Sequence, residues 1–390
     1  MDQIKSLVII DYSCHPFSLD LANHLSKNKI RVYYYFSKFV NLTGDYFKIF
    51  KNKNLKIYPI DIGTIPKHNF LKRRFKEIKF GNKVINKINK IKPDKVLLAN
   101  LPLDPLFRII KFCNKNSIDN YFWIQDIYHL AIRNVLKKNI LFYCLAGYFI
   151  YKFYSYIEKY CFIHSTKNIV ITKKFLRFFP LKKKIFIINN WVPLDEINII
   201  KKNKKIIPSL NKTFNFLYTG TFSYKHHSDI LLKLAIKFKE SKIIILSNDK
   251  FASDIIQEAK KKSINNIFLH KLISYQDLPY LIKKCDVGLV NLNYESNNVC
   301  VPSKILTYYK YGLPILASMP LNNPASLSIK KFKTGFVSNP SQIKQYLNNA
   351  YKLMNNSKLR SKFSKNGKIF ANKNFNIKKI SKKFIKILEL

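Results

Sequence analysis

The sequence of 390 residues lacks several patterns that mark specialised classes of protein. Its six cysteines lie far apart, with no CxxC pair and no histidine at zinc-ligand spacing nearby. This excludes the common zinc modules and favours reduced, buried thiols. No internal repeat of fixed short period is visible, and no helix-turn-helix or RNA-binding aromatic motif occurs.

Signals for export and for membrane spanning are also missing. The N-terminus, MDQIKSLVIIDYS, enters a strand-like run without a long apolar core or a small-residue cleavage site, so we expect a cytoplasmic protein. The longest apolar run, ILFYCLAGYFIY (Ile140 to Tyr151), is shorter than the ~20 residues that a spanning helix needs. It either packs in the core or lies on the surface, where its aromatic side chains and flanking lysines suit the cytoplasmic face of an inner membrane.

Acidic residues are scarce: the sequence has 22 Asp and Glu and 70 Lys and Arg, which gives a formal net charge of +48. The lysines are spread through every segment together with abundant Ile and Asn. This indicates a general bias in residue usage rather than a single dedicated basic face. We therefore expect no specific nucleic-acid partner. A field of this sign still favours an anionic membrane surface, by about 1 kcal/mol per suitably placed Lys or Arg.

Apolar residues are plentiful, at 47% of the chain, and the length suits two domains. Strand-like and helix-like segments alternate, which predicts parallel strands joined by crossover helices in a doubly wound α/β domain. The predicted strands of this first series are Ser6 to Asp11, RVYYYF (Arg31 to Phe36), Asp94 to Asn100, Asn120 to Asp126 and Lys167 to Thr172.

A second α/β series follows the polar, lysine-rich segment IIKKNKKIIPSLNK, which has the composition of a linker. Its predicted strands include FNFLYTG (Phe214 to Gly220) and KIIILSND (Lys242 to Asp249). We expect an N-terminal domain over 1–192, a second domain over 193–375 facing it across a cleft, and a helix over 376–390 that packs back toward the first domain.

Two stretches of the second series have the character of anion sites, because unsatisfied amides and the helix dipole favour anions where strands end and helices begin. In YTGTFSYKHHSD, Gly220 allows close approach of the backbone; alternatively it only makes the turn. In VPSKILTYYKYG, Pro302 and Ser303 begin a helix with Lys304 in its first turn, which suits a diphosphate, although a capped surface helix has the same pattern.

Together these stretches resemble the donor-binding half of the family 4 retaining glycosyltransferases, whose GT-B fold consists of two Rossmann-like domains. FWIQDIYHLAI, KIFIINNWVPL and KLISYQDLPYLIKKCDVGLVNL resemble further segments of that family, in the same order along the chain. The similarity points to the branch that builds O-antigens and capsules with amino or deoxy sugars.

The resemblance implies transfer of a sugar from a UDP-, GDP- or dTDP-sugar to a glycan or lipid-linked glycan, with retention of the anomeric configuration. The residues that it assigns to the donor are Gly220, Thr221, Phe222, Lys225, His226, Ile273, Pro302, Ser303 and Lys304. No cofactor or metal is expected, since amides and an ammonium group can stabilise the leaving diphosphate. The sequence has no Asp-x-Asp pair for a divalent ion.

The sequence departs from the family at two places. Family members often carry two glutamates around the phosphate-binding helix, whereas Val299 and Thr307 stand at those positions here. Glu295 is the acidic side chain close by, and Thr307 and Glu295 are further donor-binding candidates. The family's glycine-rich acceptor loop is replaced by DYSCHPFSLD, where His15 is a candidate catalytic residue.

Asp126 is the second catalytic candidate, because it ends a predicted strand and could accept a proton from the acceptor hydroxyl; alternatively it caps the next helix. Three other classes remain open. They are a GT-B nucleotide-sugar epimerase, which should show paired carboxylates and histidines, a basic nucleic-acid-binding protein, and an inactive homologue.

Overall fold

The computed structural model describes residues 5–40, 43–50, 52–64, 69–137, 139–179, 184–192, 210, 213–220, 222, 229–274, 277–295 and 301–390. The chain forms two compact units. Unit 1 comprises Met1–Pro193 with Ile377–Leu390, and unit 2 comprises Leu194–Asn376.

Unit 1 is built on a seven-stranded parallel sheet in the order β3-β2-β1-β4-β5-β6-β7. Its strands are β1 (Ser6–Asp11), β2 (Arg31–Ser37), β3 (Leu55–Ile60), β4 (Lys95–Ala99), β5 (Asp119–Ile124), β6 (Lys167–Val170) and β7 (Ile185–Ile187). Near the centre of the sheet, Leu7 of β1 pairs with Val32 of β2 on one side and with Lys95 of β4 on the other. The central strands are near-continuous apolar runs because helices cover both faces of such a sheet.

The helices of unit 1 cover this sheet. They are α1 (Pro16–Ser26), α2 (Phe70–Ile91), α3 (Leu103–Lys115), α4 (Tyr128–Leu136), α5 (Ile140–Phe142), α6 (Tyr148–His164) and the C-terminal α14 (Ile377–Leu388). Helix α14 is fixed by Phe384, whose ring lies 5.0 Å from that of Trp123, and by Lys167 Nζ, which donates to the Ile387 carbonyl at 2.9 Å.

Unit 2 repeats the same plan with six parallel strands in the order β10-β9-β8-β11-β12-β13. The strands are β8 (Phe214–Thr219), β9 (Ser241–Leu246), β10 (Ile267–His270), β11 (Val287–Asn291), β12 (Ile315–Ser318) and β13 (Gly335–Ser338). The helices are α7 (Asp229–Lys237), α8 (Lys250–Lys261), α9 (Leu278–Lys283), α10 (Lys304–Tyr311), α11 (Pro324–Lys331), α12 (Ile343–Asn355) and α13 (Ser357–Asn374).

Both strand orders reverse direction at one point, between β1 and β4 and between β8 and β11. Ligands of doubly wound sheets bind beyond the carboxyl ends of the strands at this switch point. The predicted fold class, two Rossmann-like α/β domains, is confirmed.

The expectation that the apolar run after Ile140 is too short to span a membrane needs correction. α5, a π-helical turn (Tyr143–Gly147) and α6 are continuous, so one helical stretch, Ile140–His164, is 25 residues long. By length and composition it could cross a membrane. The sequence run ends where Lys152 interrupts it, but a helix tolerates one lysine and continues.

Candidate active site

The carboxyl end of β8 turns sharply at Gly220. The residue has a φ of +98°, and a Cβ added there would meet no atom within 4 Å among the described residues. Its N–H donates to the Leu246 carbonyl of β9 at 2.9 Å. The glycine is therefore required by the backbone conformation and not by crowding from the described residues.

Two adjacent side chains after β9 hold the neighbouring loops. Asp249 Oδ2 accepts from the Phe222 N–H at 2.8 Å and fixes the chain just beyond Gly220. Asn248 Oδ1 accepts from the Leu272 N–H at 3.0 Å and fixes the loop after β10. The carboxyl edges of β8, β9 and β10 are thus joined by Asn248 and Asp249. Sequence reasoning missed both, although SND directly after a buried strand was a usable signal.

Helix α10 begins next to the Gly220 turn. Ser303 is its exposed N-cap residue. Lys304 Nζ lies 3.3 Å from the centroid of the Tyr218 ring, in a cation–π contact with the end of β8. The order of the sheet therefore brings Gly220, Ser303 and Lys304 together.

Tyr308, one turn further along α10, connects the helix to β8. Its hydroxyl donates to the Leu217 carbonyl at 3.1 Å and accepts from the Thr219 N–H at 3.1 Å. The ring passes over Gly288 of β11, where an added Cβ would lie 2.6 Å from Tyr308 Cδ2. Burial raises the pKa of the Tyr308 hydroxyl, so it stays neutral and acts as a hydrogen-bonding group. Sequence reasoning missed this connection, because it joins residues far apart in the chain.

This arrangement suits an anion. The first amides of a helix have no intrahelical partner and carry the positive end of its dipole, and Lys304 adds a full charge at the same place. The Gly220 turn lies beside them. A phosphate or diphosphate is the ligand that such a combination recognises.

The other predicted donor residues are dispersed around this centre. Pro302 and Thr307 are half-buried before and within α10, Ile273 is half-buried after β10, and Glu295 is exposed after β11. Phe222 is different from the other predicted donor residues. Its side chain is 1% exposed and packs on Tyr218 in the core of unit 2. Its role is to hold the loop. Thr221, Lys225 and His226 lie outside the described residues.

In unit 1, Asp11 organises the carboxyl end of β1. The fully buried carboxylate accepts from the N–H groups of Ser13 and His15, at 2.9 and 3.0 Å, and from the Ser18 hydroxyl. Burial raises its pKa, and these hydrogen bonds oppose the rise. Asp11 thereby shapes the loop that carries His15.

His15 is the residue before α1 and stacks on Phe17, with ring centroids 4.9 Å apart. Burial lowers its pKa to about 4, so the imidazole is neutral near pH 7. Its Nδ1 has no hydrogen-bond partner among the described atoms. A neutral imidazole of this kind can exchange a hydrogen bond with a ligand hydroxyl.

Asp126 lies half-buried just beyond β5, followed by a buried pair that sequence reasoning missed. Glu158 of α6 is fully buried and accepts from the N–H groups of Tyr128 and His129 at 3.0 and 2.9 Å. Its Oε2 also lies 2.5 Å from His129 Nδ1. Glu158 caps α4 and orients the imidazole three residues after Asp126. From the sequence alone, the alternative role of Asp126 is to cap this helix, a position that the structure gives to Glu158.

One cavity lies far from these groups. It has a volume of about 770 Å³ and opens at the amino-terminal edge of the unit 1 sheet, beside Lys5, Lys92, Asp94 and Lys95. Helix N-termini point to the opposite edge, so we do not place the reaction there. Within the described part of the chain, no group of three or more His, Cys, Asp or Glu could hold a metal ion.

Residues 199–370 match the model of a family described as "Glycosyl transferases group 1". Among solved structures, sucrose-phosphate synthase from Thermosynechococcus elongatus superposes with a TM-score of 0.76 at 12% identity, covering 98% of each chain. Anabaena HepE in complex with UDP gives 0.68 at 12% identity, covering 98% of this chain and 99% of HepE. UDP-GlcNAc 2-epimerase from Neisseria meningitidis gives 0.61 at 15% identity, covering 99% of both.

No curated protein is significantly similar to this chain in sequence. At these identities the solved structures establish the fold alone. The chain has the GT-B fold of two parallel-sheet α/β domains, and its residues 199–370 carry the sequence pattern of the glycosyl transferases group 1.

Proposed function

We propose that this protein is a glycosyltransferase that moves a sugar from a nucleoside-diphosphate sugar to a glycan acceptor. The observation that carries the proposal is the junction of the Gly220 turn with the start of α10, at the switch point of the domain that matches the glycosyl transferases group 1. The same junction is where doubly wound domains bind phosphates.

In this proposal unit 2 binds the donor. The first-turn amides of α10 and Lys304 stabilise the negative charge that develops on the leaving diphosphate, so the reaction proceeds without a metal or cofactor. UDP is the first nucleotide to test, because Anabaena HepE was solved in complex with it; GDP and dTDP follow.

In unit 1, Asp126 and the neutral His15 are the groups that orient the acceptor hydroxyl, and Asp126 accepts its proton. His129, oriented by Glu158, is a further candidate for either role. From the sequence resemblance we propose that the anomeric configuration is retained, that the donor sugar is a hexose or amino sugar, and that the product is an O-antigen or capsule glycan made on a lipid-linked acceptor.

A nucleotide-sugar epimerase is the second candidate, because the Neisseria enzyme shares the fold. Epimerisation at a sugar carbon needs positioned groups that remove and return a proton. Near the α10 start, Asp249 already accepts from Phe222 and Ser247, and Glu295 is exposed. The sequence match to glycosyl transferases also makes the epimerase a weaker fit.

The test is a binding and turnover screen of the purified protein with UDP-, GDP- and dTDP-sugars. We expect one nucleoside diphosphate to bind and its sugar to be slowly hydrolysed. Lys304→Ala should weaken binding at least tenfold, about 1.4 kcal/mol, whereas Lys310→Ala, near the other end of the same helix, should leave it unchanged. A folded wild type that binds none of the three donors would refute the proposal.

A further inference from the structure

The helical stretch Ile140–His164 presents an apolar stripe to solvent. Leu141, Leu145, Phe149 and Tyr156 are 67% to 70% exposed, and their spacing of four, four and seven residues puts them on one side of the helix. The stripe is roughly 23 Å long at the rise of an α-helix. Single exposed apolar residues are ordinary, but a contiguous row of large ones marks an interaction surface.

The other side of the same stretch is bound to unit 1 by polar groups. Glu158 is fully buried against the start of α4. The Tyr154 hydroxyl donates to Asp104 of α3 at 2.8 Å. Withdrawing this helix into a bilayer would leave the buried Glu158 carboxylate and the α4 amides without partners, which is costly. The helix therefore lies on a surface and does not cross it.

The first turns of α2 extend the stripe. Phe70, Leu71 and Phe75 are 53% to 72% exposed. Arg74, between them, pairs with Asp104 at 3.0 Å, and its guanidinium carbon lies 5.8 Å from the Phe153 ring of α6. Because Asp104 of α3 binds both Arg74 of α2 and Tyr154 of α6, these two helices are held on either side of α3. We call the outward side chains of 70–75 and 141–156 the apolar face.

The charges around the apolar face have one sign. The sequence from 127 to 165 contains five Lys or Arg and one acidic residue, the buried Glu158; the sequence from 69 to 79 contains five and the buried Glu77. No exposed carboxylate is present in either segment. Lys137 and Lys152 lie over the rings of Tyr143 and Tyr148, both at 5.4 Å, so cationic side chains pack on aromatic rings beside the stripe. This composition matches a bilayer interface with anionic headgroups.

We propose that the apolar face docks on an anionic lipid bilayer, with Leu145 and Phe149 entering the boundary between headgroups and acyl chains. α4 contacts α6 and follows directly after Asp126, so docking places the carboxyl edge of the unit 1 sheet near the lipid surface. A lipid-linked acceptor would meet that edge from the membrane. The docking itself does not depend on the proposed donor chemistry.

The experiment is cosedimentation of the full chain with vesicles of phosphatidylcholine containing about 30% phosphatidylglycerol, at roughly 0.1 M salt. The wild type should pellet with these vesicles and bind pure phosphatidylcholine about tenfold more weakly. Leu145→Glu with Phe149→Glu should reduce binding at least tenfold. Leu327→Glu with Ile369→Glu, both exposed in unit 2, should not.

Two further measurements make the result decisive. Circular dichroism verifies that each variant is folded, and donor hydrolysis in solution should be unchanged in the Leu145/Phe149 variant, which separates docking from catalysis. A wild type that stays in the supernatant, or a variant that binds as well as the wild type, overturns the proposal. So does a wild type that is dimeric in light scattering and becomes monomeric on this substitution, because the apolar face would then bind a second copy.

Discussion

The contact between Gly288 and Tyr308 gives the sharpest test of how the candidate donor site is held. In Gly288→Ala the new methyl carbon would lie 2.6 to 2.9 Å from three carbons of the Tyr308 ring, closer than carbon atoms can approach. The ring must move, and its hydroxyl then loses its hydrogen bonds to Leu217 and Thr219. These bonds tie the middle of α10 to the end of β8.

The magnitude follows from these two effects. Overpacking a core costs about 1–3 kcal/mol, and a lost hydrogen bond about 0.5–1.5 kcal/mol. We expect Gly288→Ala to lower the free energy of unfolding of unit 2 by about 3 kcal/mol. Because a displacement of ~1 Å at a binding group can cost about 100-fold, nucleoside-diphosphate binding should fall between tenfold and 100-fold.

The measurements are urea unfolding and calorimetric titration with the nucleoside diphosphate found in the donor screen. Tyr308→Phe is the matched control: it keeps the ring, removes only the hydroxyl, and should cost about 1–2 kcal/mol. The double variant should cost less than the sum of the two, since both act through one ring. Normal stability and normal binding in Gly288→Ala would show that Tyr308 does not hold α10 in place.

Two other predictions concern single residues. Gly220→Ala should cost about 1–3 kcal/mol in stability, because the φ of +98° strains any residue with a Cβ, whereas no described atom lies within 4 Å of the added carbon. Urea unfolding checks this, and Gly367→Ala, where the added carbon would lie at ordinary contact distance, should cost less. For His15, the folded-state pKa of about 4 lies below the unfolded value of about 6.5, so its contribution to stability is complete above pH 6.5 and is lost as pH falls toward 4. His15→Phe should reduce this acid-side loss by on the order of 2 kcal/mol, measured as the difference between the two unfolding curves at pH 7 and pH 4.5; parallel curves would contradict the assignment.

The fold was largely predictable because its strands are short, buried apolar runs between helical patterns. The predicted Ser6 to Asp11 coincides with β1, and the predicted Phe214 to Gly220 exceeds β8 by one residue. Parallel strands covered on both faces leave this signal in any sequence. The start of α10 was found in the same way, since a Pro-Ser-Lys opening before a helical pattern is a local signal.

The supports of the sites were not predictable, because they pair residues that are distant in sequence. Asp249 is 27 residues from Phe222, and Glu158 is 29 residues from His129. The local sequence around one partner does not identify the other. Phe222 shows that a local pattern can also suggest a side-chain contact that the structure does not have. Its place beside Gly220 suggested a ligand contact, but the chain turns there and sends the ring into the core.

The first six strands have the same order in both units, but different functional groups follow the carboxyl ends of the strands. This difference supports the proposal that unit 2 binds the donor and unit 1 the acceptor. The carboxyl edge of unit 2 gathers a glycine turn, a helix start and Lys304, a combination that attracts an anion. The corresponding edge of unit 1 gathers Asp126, the neutral His15 and the His129–Glu158 pair. A transferase needs both functions, since a diphosphate must leave and a hydroxyl must lose its proton. A domain pair that only bound nucleotides would have no use for the second set.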